Sequence, residues 1–565
     1  MSQSLRFLLL LFLLQLSDSM TVSIFNDVIG PVMRGPSSSH CAAALRIGRL
    51  ARDLVGGDLQ HVLIQFDESG SLPATHTSQG SDMGLFGGLL GWEAHDERLP
   101  NSRQHLIDNG IAFEFEYGDF GDAHPNTYRL TVCGEQESHT LIAISTGGGM
   151  IEVTSIDDFE VSMDGGFDET LVRLDELASS TTIQSLDGGA LAQALSADCV
   201  HVRTLDNNVM LQIQSSRPLD STALQTALPW KIIEPMVHLA PVLPIRSRPN
   251  ATLPFQDCNT LTSQADVDSK PLWKWAVEYE MQRGGLTERE VLDRMIEIVQ
   301  IARTSIESGL NGTEYADRVL GYQSGGFRDK LQSGQLLDAG ALNQIVLYTT
   351  AMMEVKSSMG VIIAAPTAGA CAALPATCLA MGESLSLSDE EIAKAFLAAG
   401  LIGVFIATAW SFAAEVGGCQ AEGGSAAAMS AAALVTMAGG TTTQAAGAAS
   451  MALQNMLGLI CDPVANRVEV PCLGKNVIAA SNAISCANMC LAGFDPVIPL
   501  DETIDAARRV SERMPREHRC TALGGLATTP TSLQIEKRLQ QCGTGCGCSG
   551  GPAPVQLDAK VPTAT

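Results

Sequence analysis

Residues 415–424 read EVGGCQAEGG and residues 455–476 read NMLGLICDPVANRVEVPCLGKN, with an uncharged, alanine-rich run between them. Three cysteines lie in these two segments: Cys419, Cys461 and Cys472. Each cysteine stands close to a glycine or a proline, which places it on a loop between helices. Thiolates in apolar surroundings are the ligands that zinc and iron–sulfur clusters select. The stretch therefore predicts a helical domain built around a sulfur-ligated metal site.

These cysteines also have a simpler interpretation. A free cysteine is commonly a small buried hydrophobic residue, and the spacing here is neither a ferredoxin run nor a pair of CxxC motifs. Cysteines on loops can converge on a metal, whereas cysteines at helical spacing, such as Cys486 and Cys490, are predicted to pack. Three converging thiolates would leave one position on the metal open for substrate, as catalytic metal sites do.

The segments GGCQ, LQNMLGLICDPVA and VEVPCLGKN resemble the cluster-binding segments of the iron–sulfur-dependent L-serine dehydratases, also called L-serine ammonia-lyases. The resemblance implies a [4Fe–4S] cluster held by Cys419, Cys461 and Cys472 and acting as a Lewis acid. It implies a lyase that converts L-serine to pyruvate and ammonia. It also implies a single-chain form in which beta-type and alpha-type domains are fused.

Three consecutive serines precede a predicted helix near the N-terminus. A helical period begins after His40, so Ser37, Ser38 and Ser39 stand where hydroxyls cap a helix and free backbone N–H groups attract anions. A plain helix cap would need only one serine. The motif GPSSSH is complete here, and the resemblance implies that it binds substrate; we expect these serines to hold the amino acid's carboxylate.

The general base is the least determined part of the prediction. The family usually has Lys-Gly-His-Gly-Thr-Asp where this chain has TSQGSD, so Gln79 replaces the expected histidine. Glutamine cannot accept a proton, and the role must pass to another group. The candidates are His40, His76 and His124, with no order among them.

Two further segments are predicted to contribute to substrate binding. VIIAAPTAGACAALPA resembles the family's Ala-Pro-Thr-x-Gly-Ala loop, in which Thr367 and Gly369 would face a ligand. Asn476 follows the last cluster cysteine and, with Lys475, occupies the place of the family's basic-Asn pair. A turn between two helices is the alternative interpretation of the first segment.

The overall composition limits the class of protein. The 565-residue chain carries a formal net charge of −27, which excludes a nucleic-acid partner because phosphates require lysine and arginine. Its length predicts several domains. Fifteen cysteines, an odd number spread along the chain, are typical of a reducing compartment, and we expect a cytoplasmic location.

We predict a multidomain protein with an α+β N-terminal half and a mostly α-helical C-terminal domain. The predicted divisions are a leader or over-extended start at 1–19, a serine dehydratase beta-type domain at 20–156, an ACT-like module at 157–242, a linker at 243–272, a helical cluster-binding alpha-type domain at 273–540 and a flexible tail rich in cysteine and glycine at 541–565.

Two apolar runs raise the question of a membrane. Residues 5–16 resemble the hydrophobic part of a signal peptide, so the leader could be a targeting segment. Residues 395–414 lack charge and are long enough to span a bilayer. Their alanine and glycine content favours a buried helix, and we predict no stable membrane span. The expected partners are a small amino-acid substrate and further copies of the chain, as a homo-oligomer that we expect to be a dimer.

Two alternatives stay open at this point. The first is a related cluster-dependent lyase that acts on threonine, cysteine or another hydroxy acid, since the sequence does not give the pocket's shape. The second is a non-catalytic iron–sulfur sensor that kept the cluster and lost its base, which Gln79 makes conceivable.

Overall fold

The computed structural model describes residues 21–174, 187–206, 208–215, 219, 224–226, 228, 232–248, 251–315 and 318–543. The predicted leader at 1–19 and residues 544–565 of the predicted tail lie outside this set. Within it, an α+β N-terminal half precedes a mostly helical C-terminal half, as the sequence predicted.

The first half is organised around a six-stranded sheet. The strands of the chain are β1 (Val32–Met33), β2 (His61–Asp67), β3 (Ala112–Gly118), β4 (Thr127–Cys133), β5 (Ser138–Gly147), β6 (Met150–Ile156), β7 (Phe159–Met163), β8 (Asp168–Leu174), β9 (Cys199–Leu205), β10 (Asn208–Ser215), β11 (Ile232–Leu239) and β12 (Ile362–Ile363). The sheet has the order β3-β2-β4-β5-β6-β7, in which only β2 and β3 run parallel. Its buried face packs with helices in one apolar core, which holds them against the sheet.

The helices occupy both halves and dominate the second. They are α1 (Ala43–Leu54), α2 (Leu72–Thr75), α3 (Ser81–Leu89), α4 (Ser102–Asp108), α5 (Gly188–Leu195), α6 (Cys258–Thr262), α7 (Leu272–Gly284), α8 (Glu288–Asn311), α9 (Ser324–Gln332), α10 (Ala341–Ser357), α11 (Ala373–Ser384), α12 (Asp389–Ala409), α13 (Ala414–Gly417), α14 (Ser425–Met437), α15 (Thr442–Gln454), α16 (Val470–Leu491), α17 (Leu500–Arg513) and α18 (Pro530–Gly543).

Helix α14 is the centre of the helical half. Residues 425–435 are all buried, and the helix is in contact with α11, α12, α15 and α16. A helix that is apolar on every side is stable only when other helices surround it. Its alanines let those helices approach closely, which explains the uncharged alanine-rich run between the cysteine segments.

The first described residues pack in the core of the helical half. Ile24 and Val28 are fully buried in the same apolar core as α7 and α12. A Cβ atom at Gly400 would lie 2.4 Å from Ile24, and one at Gly403 would lie 2.1 Å from Val28, so glycine is required at both contacts. Strand β1 also pairs with β12. The two halves are therefore interleaved rather than joined end to end.

A second, four-stranded sheet follows, with the order β11-β8-β10-β9 and antiparallel neighbours throughout. Numbered along the chain, this is the order 4-1-3-2 of a ferredoxin-like βαββαβ unit. The sheet lies in the range predicted for an ACT-like module, although β7 pairs with the first sheet beyond the predicted boundary at 156/157. Whether the unit is an ACT module stays a prediction.

The segment predicted as a linker at 243–272 is packed against the helical half. Phe255 stacks on Tyr279 with 5.8 Å between the ring centroids, and Cys258 and Leu261 are buried in the helical core. Its proline and serine content breaks regular structure without preventing burial.

Among the described residues, one helix is long and apolar enough to cross a membrane, α12. Inside the protein, 78% of its most apolar window is buried. Core helices of globular domains have the same composition, so α12 is accounted for as the helix that packs beside α14.

Candidate active site

The serine-rich segment leads into α1 as predicted. A π-helical turn spans Ser38–Ala42 before the helix starts at Ala43. Ser38 Oγ accepts a 3.2 Å hydrogen bond from the backbone N–H of Ala368, in the second half of the chain. The hydroxyl segment is therefore in direct contact with the loop that carries Thr367 and Gly369.

The Thr367 loop packs against the carboxylate of Glu422. Thr367 Oγ1 donates to Glu422 Oε1 at 2.7 Å and accepts from the N–H of Ala370 at 3.2 Å. A Cβ atom at Gly369 would lie 2.7 Å from the same carboxylate oxygen, so only glycine lets Glu422 approach. Burial raises the pKa of Glu422, which favours its neutral form.

The side-chain amide of Asn476 holds the Thr367 loop in place. Its Oδ1 accepts hydrogen bonds from the N–H groups of Ala372 and Ala373, at 3.2 and 2.9 Å. Its Nδ2 donates to the carbonyls of Gly369 and Cys472, both at 2.8 Å. Both amide hydrogens are used, so Asn476 positions the loop; its predicted contact with substrate stays a prediction.

A glycine turn at the end of β5 brings the first sheet against the Thr367 loop. Gly147, at the end of β5, has φ 111°, and a Cβ atom there would lie 2.9 Å from the backbone nitrogen of Ala413. A Cβ atom at Gly148 would lie 3.2 Å from the carbonyl of Pro366. The turn therefore holds the segment just before α13 and the Thr367 loop against the N-terminal half.

His40 is fully buried, and its contacts define its tautomer. Thr75 Oγ1 donates to the carbonyl of Ser71 at 2.7 Å, so it accepts from His40 Nε2–H at 2.9 Å. Nδ1 then carries no hydrogen and accepts from Ser37 Oγ at 3.0 Å. Burial, together with the nearby His76, lowers the pKa of His40 to about 3. The imidazole is therefore neutral near pH 7.

Glu415 stands beside this imidazole and was missed at the sequence level. Its Oε1 lies 3.4 Å from His40 Nδ1, and its Oε2 is buried with no hydrogen-bond partner. Burial, and after it the neighbouring Glu422, raise the pKa of Glu415 to about 7. A carboxyl group with this pKa and one unpaired oxygen is suited to accept a proton.

His76 has both ring nitrogens occupied. Nδ1 lies 2.5 Å from Asp82 Oδ1, and Nε2 lies 2.9 Å from the hydroxyl of Tyr117. The ring is also within 5.3 Å of the centroid of Phe66 and 5.0 Å of that of Phe115. These contacts hold the side chain in place, and the ring is near enough to His40 to lower the pKa of that residue. A catalytic role for His76 stays a prediction.

His124 is half-buried and lies in a turn before β4. Its Nδ1 accepts from the N–H of Asn126 at 3.2 Å, and burial lowers its pKa. Gln79, which stands where the resembled family has histidine, is 1% exposed and donates from Nε2 to the sulfur of Cys520 at 3.7 Å. The substitution thus places an amide against a cysteine that the sequence analysis did not single out.

Two of the three predicted ligands meet in one buried group. Cys419, Cys461 and Cys520 pack together beside α13. The thiols of Cys419 and Cys520 raise the pKa of Cys461, and burial raises it further. The thiol of Cys461 therefore resists losing its proton.

Cys472, the third predicted ligand, lies in the first turn of α16 and packs with the main helical core. Burial raises its pKa, and the charge of Cys419 is near enough to raise it further. Lys475, on the same helix as Cys472, contacts the other cysteines' group: its Nζ donates to Cys419 Sγ at 3.6 Å and to Asp462 Oδ1 at 2.6 Å. An ammonium in this position neutralises thiolate charge.

Comparisons with known proteins agree with this arrangement. A sequence model described as "Serine dehydratase alpha chain" matches residues 268–527. The probable L-serine dehydratase alpha chain of Bacillus subtilis is 39% identical over 263 residues, which are 46% of this chain and 88% of that protein. The corresponding alpha chain of Latilactobacillus sakei is 46% identical over 196 residues, 35% of this chain and 94% of that one.

The chain belongs to the serine dehydratase family. The probable beta chain of Bacillus subtilis is also similar, with 42% identity over 150 residues, 26% of this chain and 67% of that protein. Similarity to both an alpha chain and a beta chain within one polypeptide agrees with the predicted fusion, and the predicted resemblance is confirmed.

The donor set of this serine dehydratase fits an iron–sulfur group. Among the described residues, no three histidine, cysteine or acidic side chains converge closely enough to hold a single ion. The four sulfurs of Cys419, Cys461, Cys472 and Cys520 are free and buried. Sulfur donors are the ligands that iron–sulfur groups take.

Three clefts lie elsewhere on the molecule, with volumes of 450, 350 and 350 Å³. The first lies between Asp53 and His238, and the third includes His139 and Arg173. None of the three is lined by a predicted site residue. The serine dehydratase motifs therefore converge on a closed polar junction between the halves, away from these clefts.

Proposed function

We propose that this chain is an L-serine ammonia-lyase that converts L-serine to pyruvate and ammonia with a [4Fe–4S] cluster. Relatives named L-serine dehydratase support the substrate and the reaction. The observation that carries the proposal is the junction itself: His40 from the first half lies 3.4 Å from Glu415, which stands in the short helix α13 just before Cys419.

Cys419, Cys461 and Cys472 would hold the cluster, as predicted. When bound, it would supply a Lewis acid that stabilises the hydroxide leaving from the β-carbon of serine. Lys475, bonded to Asp462 and to Cys419, would balance the negative charge of the thiolates. The sulfur donors and this ammonium support the cofactor assignment.

Substrate would bind where the hydroxyl segment meets the Thr367 loop. Ser37, Ser38 and Ser39 open the π-helical turn that runs into α1, where free backbone amides favour an anion, so they would hold the carboxylate of the amino acid. Thr367 and Gly369 would line the opposite side, in contact with Ser38 through Ala368. Asn476 would keep that loop in place.

Glu415 would take the α-hydrogen of serine as a proton on Oε2, the oxygen that has no partner. Its raised pKa of about 7 matches the working pH of a general base. His40 Nδ1 carries no hydrogen and lies 3.4 Å from Oε1, so it would accept a hydrogen bond from Glu415 only once the carboxyl is protonated. The low pKa of His40 makes the imidazole a weak base, so Glu415 would take the role of the histidine that Gln79 replaces.

The rest of the reaction needs no further group. Loss of the α-hydrogen and of hydroxide leaves aminoacrylate, which tautomerises to an imine and takes up water to give pyruvate and ammonia. Contact of the chain with other copies and a cytoplasmic location stay predictions, and the free thiols of the described cysteines are compatible with a reducing compartment.

One assay tests the proposed function. The anaerobically purified, iron-loaded protein should form pyruvate from L-serine, and Cys461→Ser should lose both the iron and the activity. The variant Cys486→Ser is the matched control, because Cys486 is buried on α16 away from the cysteine group. Undiminished turnover in an iron-free Cys461→Ser protein would refute the cofactor. Faster turnover of threonine or cysteine than of serine would refute the substrate.

A further inference from the structure

The cleft that has Phe25, Arg46 and Arg294 among its lining residues, called here the seam cleft, takes no part in the proposed reaction. It has a volume of 350 Å³, and its walls come from both halves of the chain: the segment 29–32 and α1 from the first, and α8 from the second. A pocket of this volume at a boundary between domains is a common place for a small ligand. The chemistry of its walls indicates which ligand it would take.

A buried guanidinium in the seam cleft points to an anion. Arg46 is 4% exposed, and its Nη1 donates to the carbonyl of Gly149 at 2.6 Å. Its Nε and Nη2 make no hydrogen bond within the described part of the chain, although the side chain lines the cleft. A guanidinium presents paired N–H groups that match the two oxygens of a carboxylate. A bound anion would therefore satisfy donors that the protein leaves unused.

A second guanidinium stands on the opposite wall. Arg294 lies on α8, is half-buried and forms no hydrogen bond or ion pair with the residues that the structure describes. Of the two carboxylates that line the cleft, Glu93 is paired with Arg49 at 2.6 Å, and Glu297 is exposed. The positive charges of Arg46 and Arg294 are therefore available to a ligand that carries one negative charge.

Much of the remaining wall is apolar. Phe25, Leu45, Leu243 and Ile298 are buried and line the same cleft. Contact with these side chains stabilises a ligand that has an aliphatic body, whereas a bare inorganic anion would leave them uncovered. The exposed carboxylate of Glu297 would repel a ligand with several negative charges.

We propose that the seam cleft binds a small aliphatic carboxylate, with its oxygens on Arg46 and Arg294 and its carbon chain against the apolar wall, and that occupancy changes turnover at the junction. An α-keto acid and the α-amino acid of the same skeleton share this chemistry. The effect on turnover rests on the proposed function, whereas binding itself does not.

One wall of the seam cleft is bonded to the strand that leads into the Thr367 loop. The N–H of Gly30 donates to the carbonyl of Ala364 at 2.9 Å, and the N–H of Ala364 donates to the carbonyl of Pro31 at 3.1 Å. Strand β1, which continues this segment, pairs with β12 just before the loop. A ligand that displaces the segment would displace the Thr367 loop with it.

Arg46 supplies a second connection to the junction. The carbonyl that it binds belongs to Gly149, in the glycine turn whose first residue packs against Ala413, just before the helix α13 that carries Glu415. An anion on Arg46 would act on the same guanidinium that holds this turn. Because an effector acts only through contacts that differ between two states, this shared side chain is the contact through which occupancy would change the site.

The test measures binding to the anaerobically prepared full-length protein by isothermal titration calorimetry, with α-ketoisovalerate, L-valine and inorganic phosphate as separate probes. We expect a single saturable site per chain for at least one of the two carboxylates. Arg294→Met should weaken this binding by about 10-fold, the loss expected for one charge-assisted contact. Arg294 has no partner to lose within the described residues, so the variant should fold. Arg289→Met is the matched control, because Arg289 lies on the same helix in an exposed ion pair with Asp293.

The same carboxylate should change kcat/KM for L-serine by about five-fold in the wild type and in Arg289→Met, and much less in Arg294→Met. A carboxylate that only competed with L-serine at the junction would act equally on all three proteins, and that result would overturn the regulatory part. Binding without any change in turnover would overturn it as well.

The pattern of binding separates this inference from the proposed function. Absence of binding by both carboxylates, equal affinity in Arg294→Met and the wild type, or phosphate binding as tight as that of the carboxylates would overturn the site. Binding with the expected loss in Arg294→Met, in a protein that forms no pyruvate from L-serine, would leave the site in place while the proposed function fails.

Discussion

The loop cysteines beside α13 and the helix cysteines of α16 are equally buried but chemically different. Cys419, Cys461 and Cys520 stand on three separate loops or turns and form one group. Cys486 and Cys490 stand one helical turn apart and pack into the main apolar core. Burial therefore does not separate the two sets, whereas contact between segments distant in sequence does. Cys472, the proposed third ligand, shares α16 and the main core with the second set but is near enough to Cys419 for that thiol to raise its pKa.

The surroundings of the two sets differ in the same way. Near the loop cysteines are buried carboxyl groups, Glu415 and Glu422, and the ammonium of Lys475. Near the helix cysteines, the polar neighbours are the amides of Asn455 and Asn482, which satisfy the thiol of Cys486. A buried polar group without a partner lowers the free energy of unfolding. The Glu415 side of the molecule therefore gives up stability, as functional sites commonly do.

Among the variants that compare the two sets of cysteines, Cys461→Ser should show the largest loss of iron binding and of kcat. Loss of a thiolate from the group should abolish stable iron binding and lower kcat by more than about 100-fold, since removal of a metal ligand removes the chemistry that it supports. Iron and sulfide analysis with a pyruvate assay measures both. A variant with full iron content and full activity would place Cys461 with the packing cysteines.

The next largest effect should come from Glu415→Gln. Loss of a positioned general base typically lowers kcat by about 10²- to 10⁴-fold, and glutamine keeps the shape of the side chain, so iron content should not change. Because a base must be deprotonated to act, kcat of the wild type should rise with pH through about 7, the raised pKa of Glu415. A pH-independent kcat, or an active Glu415→Gln protein, would exclude Glu415 as the base.

A smaller effect is expected from Lys475→Met, which keeps the aliphatic stem and removes the charge beside Cys419. Groups next to metal ligands typically change metal affinity by about 10- to 100-fold, so iron should be lost faster to a chelator. Lys274→Met is the matched control, because Lys274 forms an exposed ion pair with Glu288. Equal rates of iron loss in the two variants would contradict the role of Lys475.

The smallest effect should come from Cys486→Ser. Its polar neighbours can bond a hydroxyl, so iron content and kcat should stay within about two-fold of the wild type, and the cost should be limited to about 1 kcal/mol of the free energy of unfolding. Denaturant unfolding and the pyruvate assay measure these. Loss of iron in this variant would remove the distinction between the two sets of cysteines.

The sequence predicted those features that depend on local pattern. Glycine and proline beside Cys419 and Cys461 indicated loops, and the uncharged run between them indicated a buried helix, which is α14. The helix start after the serines was also predictable from periodicity, although the predicted cap is absent, because the Ser37 hydroxyl makes no capping hydrogen bond. Similarity to known motifs predicted the protein family, and the comparisons confirm that prediction.

The remaining features depend on contacts between distant segments. Glu415 has an unusual pKa only because folding buries it beside His40 and Glu422. Cys520 has no glycine or proline directly beside it, so the sequence did not mark it as a loop cysteine. The glycines of the TALGG segment that follows were the available indication of a loop. The contacts of Asn476 with the backbone of the Thr367 loop and of Cys472, at 2.8–3.2 Å, were also beyond the reach of the sequence, and its predicted contact with substrate stays a prediction.

The central claim is that the cysteine group and the His40–Glu415 pair form one site across the two halves. The most direct test adds L-serine anaerobically to ⁵⁷Fe-loaded Glu415→Gln and records the Mössbauer spectrum and the pyruvate formed. We predict full iron content, a spectrum that changes on addition of L-serine, and almost no pyruvate. Normal pyruvate formation, or an iron spectrum that L-serine leaves unchanged, would contradict the claim.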